Sequence, residues 1–230
     1  MNKKTKQIFA VFIGILPFYT FAVSDKLNKQ SELSIQSFFL VYLPITAFAL
    51  GIILLLNQFF LKQKISDYNS LKKNYLLDIA IVFLLMIGAS FIQISINLFF
   101  KDIFSSNNDN SEVLKVLQTI FDNPFYALMF LIPFIWITQA FFIFSKIFLL
   151  KNLWDISANK RWIWSVIIIS TMFFSFIEID KGIISILVSF SVGLLYAITY
   201  LYYRRFWPLI IAAILIQTIQ MIDFWVSFSG

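Results

Sequence analysis

Residues 125–150 read FYALMFLIPFIWITQAFFIFSKIFLL, a run in which Lys146 is the one charged residue. A helix rises about 1.5 Å per residue and a bilayer core is about 30 Å thick, so roughly 20 apolar residues cross it. This run is long enough. Strands of a membrane barrel would be about 10 residues long with alternating polarity, a pattern this stretch lacks. Working outward, further apolar runs at 7–23, 35–61, 75–100, 163–179, 183–203 and 207–227 bring the predicted membrane segments to seven.

Composition points the same way. Of 230 residues, 60% are hydrophobic, 29 are Phe and only 13% are charged, and the mean hydropathy of +0.85 lies far above that of soluble domains. The predicted class is all-α, a polytopic helix bundle whose first partner is the lipid bilayer. Connections are short except at 101–124, which leaves no room for a separate soluble domain. The chain reads as one integrated bundle, with N-terminal helices and an exported connection over 1–124 and a core over 125–230.

Cations orient the predicted bundle. With the N-terminus inside, Lys3, Lys4, Lys6, Lys62, Lys64, Lys72, Lys73, Lys146, Lys151, Lys160, Arg161, Arg204 and Arg205 fall on the inner side. Lys26, Lys29, Lys101, Lys115 and Lys181 fall outside, so the balance is thirteen against five. The expected topology has a cytoplasmic N-terminus, seven crossings and an exported C-terminus. Anionic lipid at the inner face accounts for the formal charge of +6, so nucleic acid is not needed as a partner. The first run has an alternative reading as a cleaved leader, since three lysines precede it and Ala22-Val23-Ser24 supplies small residues after it.

Several chemistries are excluded by residue type. Cys and His are absent, which removes disulfides, thiol chemistry and imidazole ligands. No two carboxylates lie in neighbouring apolar segments at ligand-like spacing, so no metal is expected. Gly residues number six and form no phosphate loop. No cofactor is expected.

In the long connection, the polar stretch 105–111 suits a solvated turn. After it, Glu112 to Phe121 places Val113, Leu114, Val116, Leu117, Ile120 and Phe121 at helical spacing. That is an amphipathic surface helix, either a lipid-facing linker or a docking site. Tyr68, Trp154 and Trp162 stand among basic residues at predicted membrane ends, as interfacial anchors do.

An ionisable group at bilayer depth costs about 2.5 to 3.5 kcal/mol on insertion scales, so each one points to function or to a partner. Asp78 lies near the inner end of its run beside Lys72 and Lys73, and Asp223 near the outer end of the last run; both positions allow solvation. Glu178 closes the fifth run with Asp180 and Lys181 just after it. Thr138 and Gln139 fall near the middle of the 125–150 run and require internal partners, as do Gln217 and Gln220. Ser189 and Gly193, four apart, share a helix face and permit close packing.

The order of these features resembles the CPBP family of membrane proteases, related to the CAAX prenyl endopeptidase and to Abi bacteriocin-immunity proteins. That family shows Pro, then Glu-Glu-x-x-x-Arg, then Phe-x-x-x-His, then a small-residue helix, then Pro followed four residues later by a second His. Here Pro133 precedes Thr138-Gln139-Ala140-Phe141-Phe142-Ile143, so Thr138 and Gln139 stand at the Glu pair and Ile143 at the Arg. Phe174 is retained, with Glu178 at the first His. Ser189 to Tyr196 keeps the small-residue helix as Ser-Phe-Ser-Val-Gly-Leu-Leu-Tyr. After Pro208, the second His position is Ala212 and its following polar position is Ile216.

In the family, carboxylates and histidines are thought to activate a water and stabilise charge on the scissile carbonyl, roles that need a proton acceptor and polar donors. Gln is no base at neutral pH, and Ala and Ile offer neither function. The resemblance therefore implies a bacterial cytoplasmic-membrane protein with the protease fold but degenerate chemistry, a scaffold or regulatory subunit for a membrane partner. Two alternatives remain open: an endopeptidase in which Glu178 acts as base with Thr138 and Gln139 polarising the carbonyl, and a small transporter or immunity protein.

Overall fold

In a bilayer each backbone N–H and C=O must be satisfied within the protein, so apolar runs of this length fold as helices. The computed structural model describes residues 2–28, 38–69, 74–100, 118–120, 122–129, 135–157 and 159–229, and no strand occurs among them. Helix α1 covers Lys3–Asn28. Helix α2, Leu43–Leu55, is flanked by π-helical turns at Phe38–Tyr42 and Leu56–Phe60. A 3-10 turn at Ile65–Tyr68 leads toward α3, Tyr75–Phe100. Then come α4, Pro124–Met129, α5, Ile137–Trp154, and α6, Lys160–Ser175, which runs into a 3-10 turn at Phe176–Lys181. Helices α7, Ile183–Tyr203, and α8, Trp207–Ser229, complete the chain.

Among the described residues, four helices are long and apolar enough to cross a membrane: Leu40–Phe60, Tyr75–Phe100, Lys160–Glu178 and Ile183–Tyr203, with a shorter apolar stretch at Trp207–Asp223. The sequence predicts seven. The other three predicted runs, at 7–23, 125–150 and 207–227, fall short of that length or apolarity among the described residues. Helix α1 extends beyond 7–23 and takes in Lys3, Lys4 and Lys6. Of the 125–150 run, α4 and α5 are described and residues 130–134 lie outside the described residues; α5 carries Lys146 and Lys151. Pro133, the predicted turn at 105–111 and the stretch from Glu112 to Leu117 lie outside the described residues; of the amphipathic helix predicted beyond them, Ile120 is fully buried.

Helix α5 is the axis of the bundle. Ten of its 18 residues are buried, including Phe141, Ile143, Phe144, Ile147, Phe148 and Trp154. A helix buried on nearly every face must be enclosed by others, and α1, α2, α6 and α8 pack against it. Helix α3 lies on the far side, against α7 and α8. Its outward face exposes Phe83, Leu84, Ile87, Phe91 and Ile94, the lipid-facing surface such a helix needs.

Local residues fix the reversals. Asn159 caps α6 by accepting a hydrogen bond from the Arg161 N–H at 2.9 Å. Gly182 joins the 3-10 turn to α7 at φ 88°, a conformation natural only to glycine. At the other end of α7, Arg204 adopts the left-handed conformation, φ 49°, and its N–H returns to the Tyr200 carbonyl at 2.9 Å. Pro208 then occupies the first turn of α8, where its missing N–H costs nothing.

Candidate functional site

Midway along α5, Lys146 points into a small cavity between α5, α6, α7 and α8. Ile143, Ile147 and Leu150 of α5 and Leu209 of α8 make its apolar wall, and Ser170, Thr171 and Tyr196 bring hydroxyl groups to it. Phe174 presents its ring to the Lys146 ammonium, 5.5 Å from the centroid. The space is about 10 Å³, close to the volume one water requires.

Gly193 lets these helices meet. A Cβ at that position would sit 2.7 Å from Thr171 Cγ2 and 3.7 Å from Lys146 Nζ, so the α6 side chain and the α5 ammonium both converge on bare α7 backbone. Ser189, one turn earlier on α7, is partly buried. Glu178 lies in the 3-10 turn after α6 with φ −91° and ψ 16°, partly exposed, and its charge acts on Lys146.

A second polar cluster closes the opposite end of the bundle. Arg205 is buried and forms a bidentate ion pair with Asp78, Nε to Oδ1 and Nη2 to Oδ2. Beside it the Phe206 N–H donates to Asn69 Oδ1 at 2.9 Å, and the Tyr200 hydroxyl to the Tyr68 carbonyl at 3.0 Å. Tyr68 donates in turn to Asn57 Oδ1 at 2.7 Å, and Gln63 donates to Asn152 Oδ1 at 3.2 Å. Lys151 lies over the Tyr68 ring at 4.2 Å, and Arg204 over Trp154 at 4.2 Å. Asn57, Tyr68 and Asn152 are all buried, so the segment 57–69 is woven into the bundle end by satisfied polar groups. Burial pushes the Tyr68 phenol well above its ordinary range.

The residues singled out from the sequence do not form one cluster. Thr138 and Gln139 lie on α5 outside the cavity wall, with Thr138 donating to the Ile135 carbonyl at 3.1 Å. Ile143, Phe174 and Gly193 do come together, around Lys146. Ala212 is fully enclosed, and Ile216 is partly buried. Gln220 donates to Gln93 Oε1 at 2.8 Å, joining α8 to α3, while Asp223 is exposed. Asp78 is not left to solvent near Lys72 and Lys73; it pairs with Arg205. Lys146, counted from the sequence among the inner-side cations, is enclosed among α5, α6, α7 and α8. The signal that could have found it is its solitude: one charge in a 26-residue apolar run, three residues after Ile143.

The architecture is that of an integral membrane protein, an all-α bundle with a cation held between four of its helices. Residues 124–219, under half of the chain, match the family model described as Rce1-like, type II CAAX prenyl endopeptidase Rce1-like, in agreement with CPBP family membership and covering α4, α5, α6, α7 and much of α8. Neither the curated proteins nor the solved structures contain a match to the chain.

Proposed function

We propose that this chain keeps the CPBP fold without its hydrolytic chemistry and serves as a scaffold or regulatory subunit for another membrane protein. One observation supports this reading above the others. Two motif positions where the family carries polar catalytic groups hold the buried apolar residues Ile143 and Ala212, and the cavity beside Ile143 is too small for a peptide. Binding a partner requires only helix surfaces, and the lipid-facing aromatic and aliphatic faces supply them. The proposed setting is the bacterial cytoplasmic membrane with the N-terminus inside.

Gentle extraction of the tagged protein from its native membrane, followed by mass spectrometry, tests the proposal. A stoichiometric membrane partner is the expected result. Recovery of the protein alone, together with membrane complexes unchanged by its deletion, would count against it. An endopeptidase dependent on Glu178 would show itself differently: cleavage of a defined substrate would be lost on Glu178→Gln.

A further inference from the structure

We propose that the Arg205 end of the bundle holds the head group of an anionic phospholipid, its phosphate gripped by Lys3, Lys151 and Arg204. These cations come from the start of α1, the last turn of α5 and the C-terminal cap of α7. The charges of Lys3 and Arg204 both act on Lys151, so the three share one neighbourhood. Asp67 and Asp155 are the acidic groups that act there, and three cations against two carboxylates leave one positive charge in excess. Asp67 is already engaged, accepting a hydrogen bond from the Lys64 N–H at 2.8 Å. Among the described residues no carboxylate forms an ion pair with any of the three; the ion pair of this end joins Arg205 to Asp78.

Partly exposed cations keep their charge in water, so exposure alone assigns nothing to them. What sets Lys151 and Arg204 apart is that both are already placed. Lys151 lies over the Tyr68 ring at 4.2 Å and donates to Gln63 Oε1 at 3.3 Å. Arg204 lies over Trp154 at 4.2 Å, on a left-handed backbone held by its N–H to the Tyr200 carbonyl. A free surface cation loses side-chain entropy when it grips a ligand, whereas these two have lost much of theirs in folding. A guanidinium over a ring still has N–H donors for an oxyanion, and phosphate matches their fork.

Depth identifies the source of the phosphate. Helix α7, which Arg204 caps, is one of those long and apolar enough to cross a membrane. Exposed Tyr202 and Trp207 flank the cap, and Tyr and Trp at a membrane end lie at head-group level. The site therefore faces the head groups of one leaflet. The excess positive charge selects a head group of net negative charge over a zwitterionic one.

The test uses the full-length protein in detergent with lipid added, bound lipid being counted by native mass spectrometry and stabilisation read by thermal unfolding. Phosphatidylglycerol is expected to bind as one tight equivalent and to raise the melting temperature saturably. Phosphatidylcholine, and inorganic phosphate at equal ionic strength, are expected to do neither. Each cation near an anionic surface contributes about fivefold in affinity, so Lys3→Gln and Arg204→Gln should each weaken phosphatidylglycerol binding by that factor and together by about 25-fold. Lys160→Gln with Arg161→Gln removes two cations that are not among the charges acting on Lys151, and should leave the tight equivalent unchanged.

If Arg204→Gln does not fold, Lys3→Gln, at an exposed position, and the wild-type lipid series still decide the matter. The proposal is overturned if phosphatidylcholine binds as tightly as phosphatidylglycerol or if inorganic phosphate stabilises equally. It is also overturned if losing Lys160 and Arg161 weakens binding as much as losing Lys3 and Arg204, the mark of an attraction spread over the whole end.

Discussion

Gly193→Ala adds one methyl group at the tightest crossing in the site, and its cost follows from the geometry. The new Cβ would sit 2.7 Å from Thr171 Cγ2, well inside van der Waals contact, whereas Lys146 Nζ at 3.7 Å would be undisturbed. Thr171 is β-branched and stiff at χ1, so its methyl cannot swing aside within a helix without a strained rotamer. Overpacking of this kind costs about 1 to 3 kcal/mol, while Ala gains about 1 kcal/mol over Gly in a helix interior. The net expectation is a loss of up to about 2 kcal/mol, seen as a fall of up to roughly 8 °C in melting temperature of the detergent-solubilised protein. Removing the opposing methyl should reverse the sign. In Gly193→Ala with Thr171→Ser the clash is gone and the helix propensity of Ala remains, so stability should return to wild type or above it. Thr171→Val keeps a methyl at the clash and should not rescue. A Gly193→Ala protein more stable than wild type, or rescue by Val equal to that by Ser, would refute the reasoning.

At the other end of the bundle, Arg205→Ala leaves the Asp78 carboxylate without its cation. Asp78 is one-fifth exposed, so the loss should be about 2 to 3 kcal/mol by thermal unfolding, below the cost of a fully buried pair, and Asp78→Asn in the same background should recover part of it. Gly182→Ala forces a Cβ into φ 88° and should cost about 1 to 3 kcal/mol in the same assay, whereas a change at Gly51, which has open space around it, should be mild. Burial raises the Tyr68 phenol above its ordinary value of 10.0, so the stability it contributes is present below about pH 10 and is lost as pH rises toward the folded value. Melting temperature should fall above pH 10, and less steeply in Tyr68→Phe.

The start of α3 at 75 and both ends of α7, 183 and 203, were legible in the sequence. The apolar run of α7 has a chemical reason to stop at each end: Gly182 precedes it and Arg204 ends it. The 125–150 run had no such stop, and reading it as one helix put Thr138 and Gln139 at its centre. The described part of it lets the Thr138 hydroxyl donate to the Ile135 carbonyl, a local partner that its place in the run did not suggest. The Arg205 end was less legible still. Asp78 and Arg205 are 127 residues apart, and Asn57 and Tyr68 read as polar residues in a connection. Nothing local announces that a connection will fold into the bundle end and bury them.

Lys146 exposes the same weakness in a sharper form. The positive-inside bias is a count, and a count treats every Lys near a run as belonging to an end. Twelve other cations still fall on the predicted inner side, so the bias survives without Lys146. What the count hides is the energetic oddity of a charge lodged between four helices, beside the position where the resembling family carries its Arg. If Ile143 replaced that Arg in a dry, inert core, a neighbouring Lys would be costly and an apolar residue would serve better. With Phe174 across its face, bare Gly193 backbone beside it and hydroxyls in the wall, Lys146 makes a polar centre between the helices. An apolar Ile143 and a charged Lys146 are compatible within one core, because the Phe174 ring and the wall hydroxyls offset part of the cost of the charge.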